Sequence, residues 1–365
     1  MKAIAKFILI LSFSTSILFA QTKLTSIYKV KSYIGKSKQN TIIKNVRDIV
    51  YAGIPNRFFG TVGHKNVQSF IQNKLEKADE LKNVSLQIDT FKIDTNAGIK
   101  SFEQDFNKKI KPVFKSDTKD FKKWSGFKDY MKKTIESKKE IDAKNFILTV
   151  KGASEETLII TAHYDTVIHN KETMIIDEKS KMPGADFNAS SVAIMLELID
   201  RVSTLELKKT LKFVFLDAQS LGFLGSYQFA KGLSEKDIGV INLEMLGYDS
   251  KTKDENKRLR NFKAYARDSR VDSKGVDKKL YELINKYVKK SGTSMNFKLD
   301  QNNFDHSDNV RFNKIANLTL SQNWEEDFNP NFQSKNDFPE TLNQRTLYNS
   351  YKYIGIGILG YALDL

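Results

Sequence analysis

TLIITAHYDT (157–166), MPGADFNAS (182–190), KKTLKFVFLDAQS (208–220) and LGFLGS (221–226) follow one another in the order strand, loop, helix, strand, helix. The apolar runs from Leu158 to Ala162 and from Leu211 to Leu216 are nearly unbroken, as expected for strands covered on both faces of a parallel sheet. Between them Val192, Met195, Leu196, Ile199 and Val202 recur at helical spacing, and Asp186 or Asn188 is placed to cap the first turn. The pattern is β-α-β, and sites on open α/β sheets lie at the carboxyl ends of strands. His163 and Asp165 sit at such an end. Two residues apart on a strand, they share a face, so Asp165 is placed to orient the His163 ring.

Five segments in this order, AHYDT (162–166), GADFNAS (184–190), FLDAQSLGFLGS (215–226), NLEMLG (242–247) and FQSKNDFPETLN (332–343), resemble metallopeptidase family 28. This is the family of zinc aminopeptidases and glutaminyl cyclases, and the resemblance runs from about Asp48 to Leu365, with gaps. It implies a single α/β domain with a central, mostly parallel, twisted sheet of about eight strands flanked by helices. It also implies a two-zinc site with a His in the first motif, a bridging Asp in the second, a Glu in the third, an Asp in the fourth and a His in the fifth. The general base is the Glu just before the third-motif ligand.

Matched residue by residue, only the first ligand is kept, as His163. The bridging Asp falls on Phe187, the base on Gln219 and the third ligand on Ser220. The fourth ligand becomes Glu244, and the fifth-motif His becomes Gln333. Two cations held about 3.5 to 4 Å apart need anionic ligands to offset their repulsion, and here one carboxylate stands where the family has three. No cofactor is therefore expected. A single zinc needs about three protein ligands and a water, and the set that could supply them is His163, Asp186 and Glu244. Asp165, Phe187, Ser220, Asp305, His306 and Gln333 are expected around the pocket, Asp305 and His306 because NFDHSDNVRF (303–312) resembles a cleft-lining segment of the family.

The first 20 residues carry Lys2 and Lys6, an apolar centre from Phe7 to Phe19 and a small residue at Ala20, which reads as a secretory signal peptide and a periplasmic or secreted protein. The apolar run is short for a membrane span, so no integral membrane protein is expected. With no cysteine there are no disulfides, thiolate ligands or Cys nucleophile, and the fold must rest on a packed core. The net charge is +15, and loss of residues 1–20 removes two lysines and no acid. That excess favours anionic surroundings. No helix-turn-helix, RNA-binding or zinc-finger pattern accompanies it, and no specific nucleic-acid partner is expected.

Residues 21–40 read as a lead-in or short helix, and 41–365 as the α/β domain. Basic insertions are expected at about 95–144 and 251–274. In the first, aromatics interleave with lysines, as in FKSDTKDFKKWSGFKDYMKK (114–133); they suit either packing onto the domain or contact with an anionic partner. His64, in GTVGHKN (60–66), is expected at the surface. VSLQIDTFKI (84–93) reads as a strand, Val276 to Lys290 as a helix, and Tyr351, Ile354, Ile358, Tyr361 and Leu365 as one face of a final helix whose three glycines permit close packing.

No GxSxG elbow, HExxH helix or P-loop is present. Ser220 has four histidines in the chain to pair with, and His163 and Asp165 are its candidates for a triad. Two function classes compete: an exported, non-catalytic relative of the zinc aminopeptidases that binds a peptide-like or anionic ligand, and an active aminopeptidase or glutaminyl-cyclase-like enzyme with a rebuilt single-metal site.

Overall fold

The computed structural model describes residues 23–170, 172–250, 261–293, 296–302 and 304–365; the expected signal peptide lies outside them. The elements, in chain order, are α1 (Ile27–Ile34), α2 (Gln39–Ala52), α3 (Val62–Asp79), β1 (Val84–Lys92), α4 (Thr95–Asp105), α5 (Lys119–Ser137), β2 (Asp142–Val150) and β3 (Gly152–His163). Then come α6 (Ser190–Val202), β4 (Leu207–Leu216), α7 (Leu224–Ala230), β5 (Asp237–Glu244), β6 (Phe262–Tyr265), α8 (Val276–Lys290), β7 (Lys298–Asp300), β8 (Asn317–Gln322) and α9 (Gln344–Ala362).

The eight strands form one sheet in the order β1-β2-β4-β3-β5-β8-β6-β7. Its centre is parallel: β3 pairs with β4 and β5, and β5 with β8. The antiparallel pairs β1-β2, β2-β4 and β6-β8 lie to either side. β3 from Leu158 and β5 from Gly239 are buried to their carboxyl ends because helices cover both faces, which is why they show no alternation. Their carboxyl ends deliver His163 and Glu244 to the same rim of the sheet.

α9 is buried on nearly every side. Its glycines permit this, since a Cβ on Gly357 would come within 2.5 Å of Ile284 and one on Gly360 within 2.5 Å of Tyr287. The 21–40 stretch is part of the domain: Ile27, Val30 and Ile34 of α1 are buried, and Ser37 Oγ lies 2.7 Å from the Tyr351 hydroxyl of α9. Of the expected insertion at 251–274, residues 251–260 lie outside the described residues, and Phe262, Ala264 and Tyr265 are buried in β6, a strand of the sheet. Among the described residues no helix is long and apolar enough to cross a membrane.

Gly225, near the start of α7, lets that helix close onto the end of β4, since a Cβ there would stand 2.2 Å from Asp217 O and 2.6 Å from its nitrogen. Gly225→Ala gains about 1 kcal/mol of helix propensity but meets rigid backbone. The expected outcome is a net loss of about 1–3 kcal/mol in urea denaturation.

Candidate functional site

At the carboxyl end of β3 both ring nitrogens of His163 are engaged. Nδ1 lies 2.9 Å from the backbone oxygen of Asp165, and Nε2 lies 3.1 Å from Glu244 Oε1. A carbonyl oxygen only accepts, so Nδ1 carries a proton; an ionised Glu244 requires one on Nε2 as well. All three side chains are fully buried. Burial opposes the charge, but Glu244 and Asp165 outweigh it and hold the His163 pKa well above its ordinary value. The ring lies between two carboxylates that favour its protonated form.

Each carboxylate is completed by further donors. Glu244 Oε2 accepts from Ser307 Oγ at 2.6 Å, and that hydroxyl accepts from Asn242 Nδ2 at 2.7 Å. Asp165 accepts the backbone N–H groups of Gln219 and Ser220 at 3.0 and 2.9 Å and the Ser220 hydroxyl at 2.6 Å. His163 and Ser220 thereby hold its pKa below the usual value in spite of burial. The Ser220 hydroxyl donates to Asp165 itself, which leaves His163 no part as its base. The expected triad is not formed.

The loop carrying Asp186 and Phe187 is fastened from below. Arg57, fully buried, donates to the backbone oxygens of Tyr164, Pro183 and Gly184 at 2.8, 2.6 and 2.8 Å. Burial lowers its pKa to about 10, against the pull of Asp337 and Asp165. Asp337 accepts the N–H groups of Asp186 and Phe187 at 2.9 and 3.0 Å. Asp186 accepts from Gly247 N at 2.8 Å and from Asn329 Nδ2 at 2.9 Å, one bond to each carboxylate oxygen. Burial, chiefly, raises the pKa of both Asp186 and Asp337. The Phe187 ring packs on His163 with centroids 5.0 Å apart, and Phe332 packs on Phe187 at 4.8 Å.

These contacts decide the fit of a metal. His163 has no lone pair to give while both nitrogens are protonated, Asp186 turns both oxygens to protein donors, and a phenyl ring covers the histidine. Among the described residues no group of three His, Asp or Glu side chains could hold a metal ion. His163, Asp186 and Glu244 are brought together in a hydrogen-bonded layer in which Gly247, Asn329 and Ser307 donate to the carboxylates.

Above this layer opens a cavity of about 310 Å³. Phe187, Gln219, Ser220, Asp305, His306 and Gln333 line it, whereas Asp165, expected there, is buried beneath Ser220. Asp308, beside His306 and missed in the sequence, is buried with one oxygen on Ser226 and a pKa raised by burial to about 7. His306 stacks on Trp324 at 5.6 Å. Within the 95–144 stretch, α4 and α5 build the opposite wall as a helical hairpin, with Phe102, Trp124 and Phe127 facing the cavity, while its last residues already belong to β2. His169, also missed, meets Gln333 Oε1 through Nδ1 at 3.1 Å, and burial lowers its pKa.

His64 is not at the surface. Thr61 caps α3 by accepting from His64 N, so the expected turn is the first turn of a helix. The ring is buried with Nε2 2.7 Å from Asp217 Oδ1.

The sequence profile of Peptidase family M28 matches residues 145–355, more than half of the chain. The chain belongs to peptidase family M28. Aminopeptidase YwaD of Bacillus subtilis is 31% identical over 96 residues, 25% of this chain and 18% of that protein. A probable leucine aminopeptidase of Trichophyton verrucosum is 31% identical over 116 residues, 29% of each. The chain thus aligns with less than a third of the length of these curated relatives. Among solved structures, LapB of Legionella pneumophila superposes with a TM-score of 0.61 at 18% identity, covering 92% of this chain and 75% of that one. The zinc aminopeptidase BSAP of Bacillus subtilis gives 0.60 at 16% identity over 90% and 96%. The glutaminyl cyclase of Bacteroides thetaiotaomicron, solved bound to N-acetylhistamine, gives 0.59 at 16% identity over 88% and 97%. At such identities the structural likeness establishes the M28 fold.

His163→Gln removes the positive charge and leaves Glu244 and Asp165 facing each other across a buried gap, so a loss of about 3–5 kcal/mol is expected at about pH 6. The folded-state pKa of His163 stands above the unfolded value, so its contribution is fully present below the unfolded value and is lost as pH rises through the folded one. The gap between wild type and variant should narrow in alkaline urea denaturation.

Proposed function

We propose that this M28 protein is an exported, non-catalytic relative of the zinc aminopeptidases that binds a ligand in the cavity above the former metal position. One observation carries the reading: both nitrogens of His163 are taken, by Asp165 O and Glu244, in the place where the family's first ligand stands. Its surroundings agree. Gln219, at the base position, has no proton-accepting group of useful basicity at neutral pH, and Phe187 shields the buried carboxylates from the cavity. Loss of a general base alone costs roughly 10² to 10⁴ in rate, and here the polarising cations would be missing too.

Export is part of the proposal. It is supported by the charged start, apolar centre and Ala20 of the first 20 residues. Intact-mass measurement of native protein is expected to place its first residue near Gln21; retention of Met1 would contradict export.

The catalytic half of the reading is tested by elemental analysis of protein purified without chelators, together with an aminopeptidase assay in added zinc. Neither stoichiometric zinc nor turnover is expected. Stoichiometric zinc with turnover that vanishes in His163→Ala would favour an active single-metal enzyme. Phe187→Asp, Gln219→Glu, Ser220→Glu, Glu244→Asp and Gln333→His together are expected to restore zinc binding, read by calorimetry.

A further inference from the structure

The α4–α5 hairpin is fastened to the domain at its base. Its buried residues are Gly98 in α4 and Met131, Thr134 and Ile135 late in α5, whereas none of residues 106–130 is buried. The far end consists of a π-helical turn, Phe106–Ile110, that prolongs α4, a connecting turn and the start of α5, which Thr118 caps by accepting from Phe121 N.

This tip, FNKKIKPVFKSDTKDFKK (106–123), carries seven lysines against two aspartates. Lys109 is shared between Asp105 at 3.4 Å and Asp305 at 3.1 Å. Lys108, Lys111, Lys115, Lys119 and Lys122 are exposed, and among the described residues no carboxylate stands within ion-pair distance of them. Lys119 and Lys122 also stand in the first turn of α5, the end at which a helix dipole disfavours cations. Helix stability gains nothing from them there.

Apolar residues sit among these charges. The connecting turn places Pro112, Val113 and Phe114 between Lys111 and Lys115; Pro112 is exposed, Val113 is 69% exposed and Phe114 is half-buried. The other rings of the tip are engaged within it: Phe106 meets Phe121 edge to face at 5.3 Å, and Lys128 lies over Phe106 at 5.1 Å. A soluble polyanion would meet the lysines and leave Val113 in water. An anionic bilayer meets both, because lysine stems reach headgroup phosphates while apolar residues beside them enter the boundary with the acyl chains. Such docking needs no spanning segment, and no described helix could supply one.

We infer that the 106–123 tip docks on the surface of a membrane containing anionic phospholipid, with Pro112, Val113 and Phe114 at the acyl boundary and five exposed lysines among the headgroups. The surface is separate from the cleft, and its role does not depend on whether the cleft is catalytic.

The test is co-sedimentation of the full chain with vesicles of phosphatidylcholine alone and of phosphatidylcholine carrying about 30% phosphatidylglycerol. Binding to the anionic vesicles is expected to be at least about tenfold tighter and to fall steeply between about 0.05 and about 0.5 M sodium chloride. Replacing Lys108, Lys111, Lys115, Lys119 and Lys122 together by Gln is expected to weaken it at least about 100-fold. Val113→Ser, which leaves the charge unchanged, is expected to weaken it about fivefold. The chain has no cysteine, so Val113→Cys offers a single thiol for an environment-sensitive fluorophore, whose emission is expected to shift to the blue on anionic vesicles. Circular dichroism checks that each variant is folded; should the five-lysine variant not fold, the salt dependence and the Val113 variants decide. Equal binding to both vesicles, no binding at low salt, or undiminished binding by the folded lysine variant overturns the inference. Heparin binding insensitive to Val113→Ser, with no blue shift on vesicles, also overturns it and assigns the lysines to a soluble polyanion.

Discussion

Two carboxylates, Asp165 and Glu244, are buried at the rim of the sheet on either side of His163, and the charge on that ring makes their burial tolerable. Isolated ions in such a place cost several kcal/mol each. The imidazolium, three donors to Asp165 and one hydroxyl to Glu244 meet that cost. In the proposed reading, the protonated His163 ring provides a positive charge between these carboxylates. Once Nε2 carries a proton for Glu244, the ring cannot coordinate a metal through it.

The remainder of the site follows from the same arrangement. A carboxylate at 187 would join Asp165, Asp186 and Glu244, already buried here; Phe187 instead packs on His163 and Phe332 and lines the cavity. Arg57 and Asp337 hold the Phe187 loop through backbone groups. Above Phe187, the lysine-rich hairpin gives aromatic side chains to the cavity while its exposed lysines carry much of the positive balance. One segment therefore serves both packing and the cavity wall.

Much of the fold was readable from residues. Buried parallel strands read as apolar runs, and α8 and β1 stood out by period. The kept and lost family positions gave the address of the site. What stayed hidden depends on partners distant in sequence. His64 looks like a surface residue until Asp217, on a loop 153 residues away, takes its Nε2. Arg57 has no local signal, because its acceptors are backbone oxygens of the loop it supports. Asp186 reads as a possible ligand, and only Gly247 and Asn329 show that its oxygens are engaged. The short strand β6 was masked by the charges around it.

The protonation of His163 tests the central claim most directly. Nitrogen-15 chemical shifts of the histidine rings, assigned with His163→Gln and recorded at neutral pH with and without equimolar zinc, report both ring nitrogens separately. The account predicts that Nδ1 and Nε2 of His163 both carry protons and that zinc leaves their shifts unchanged. A singly protonated ring whose Nε2 resonance moves to the metal-bound range on adding zinc would contradict it.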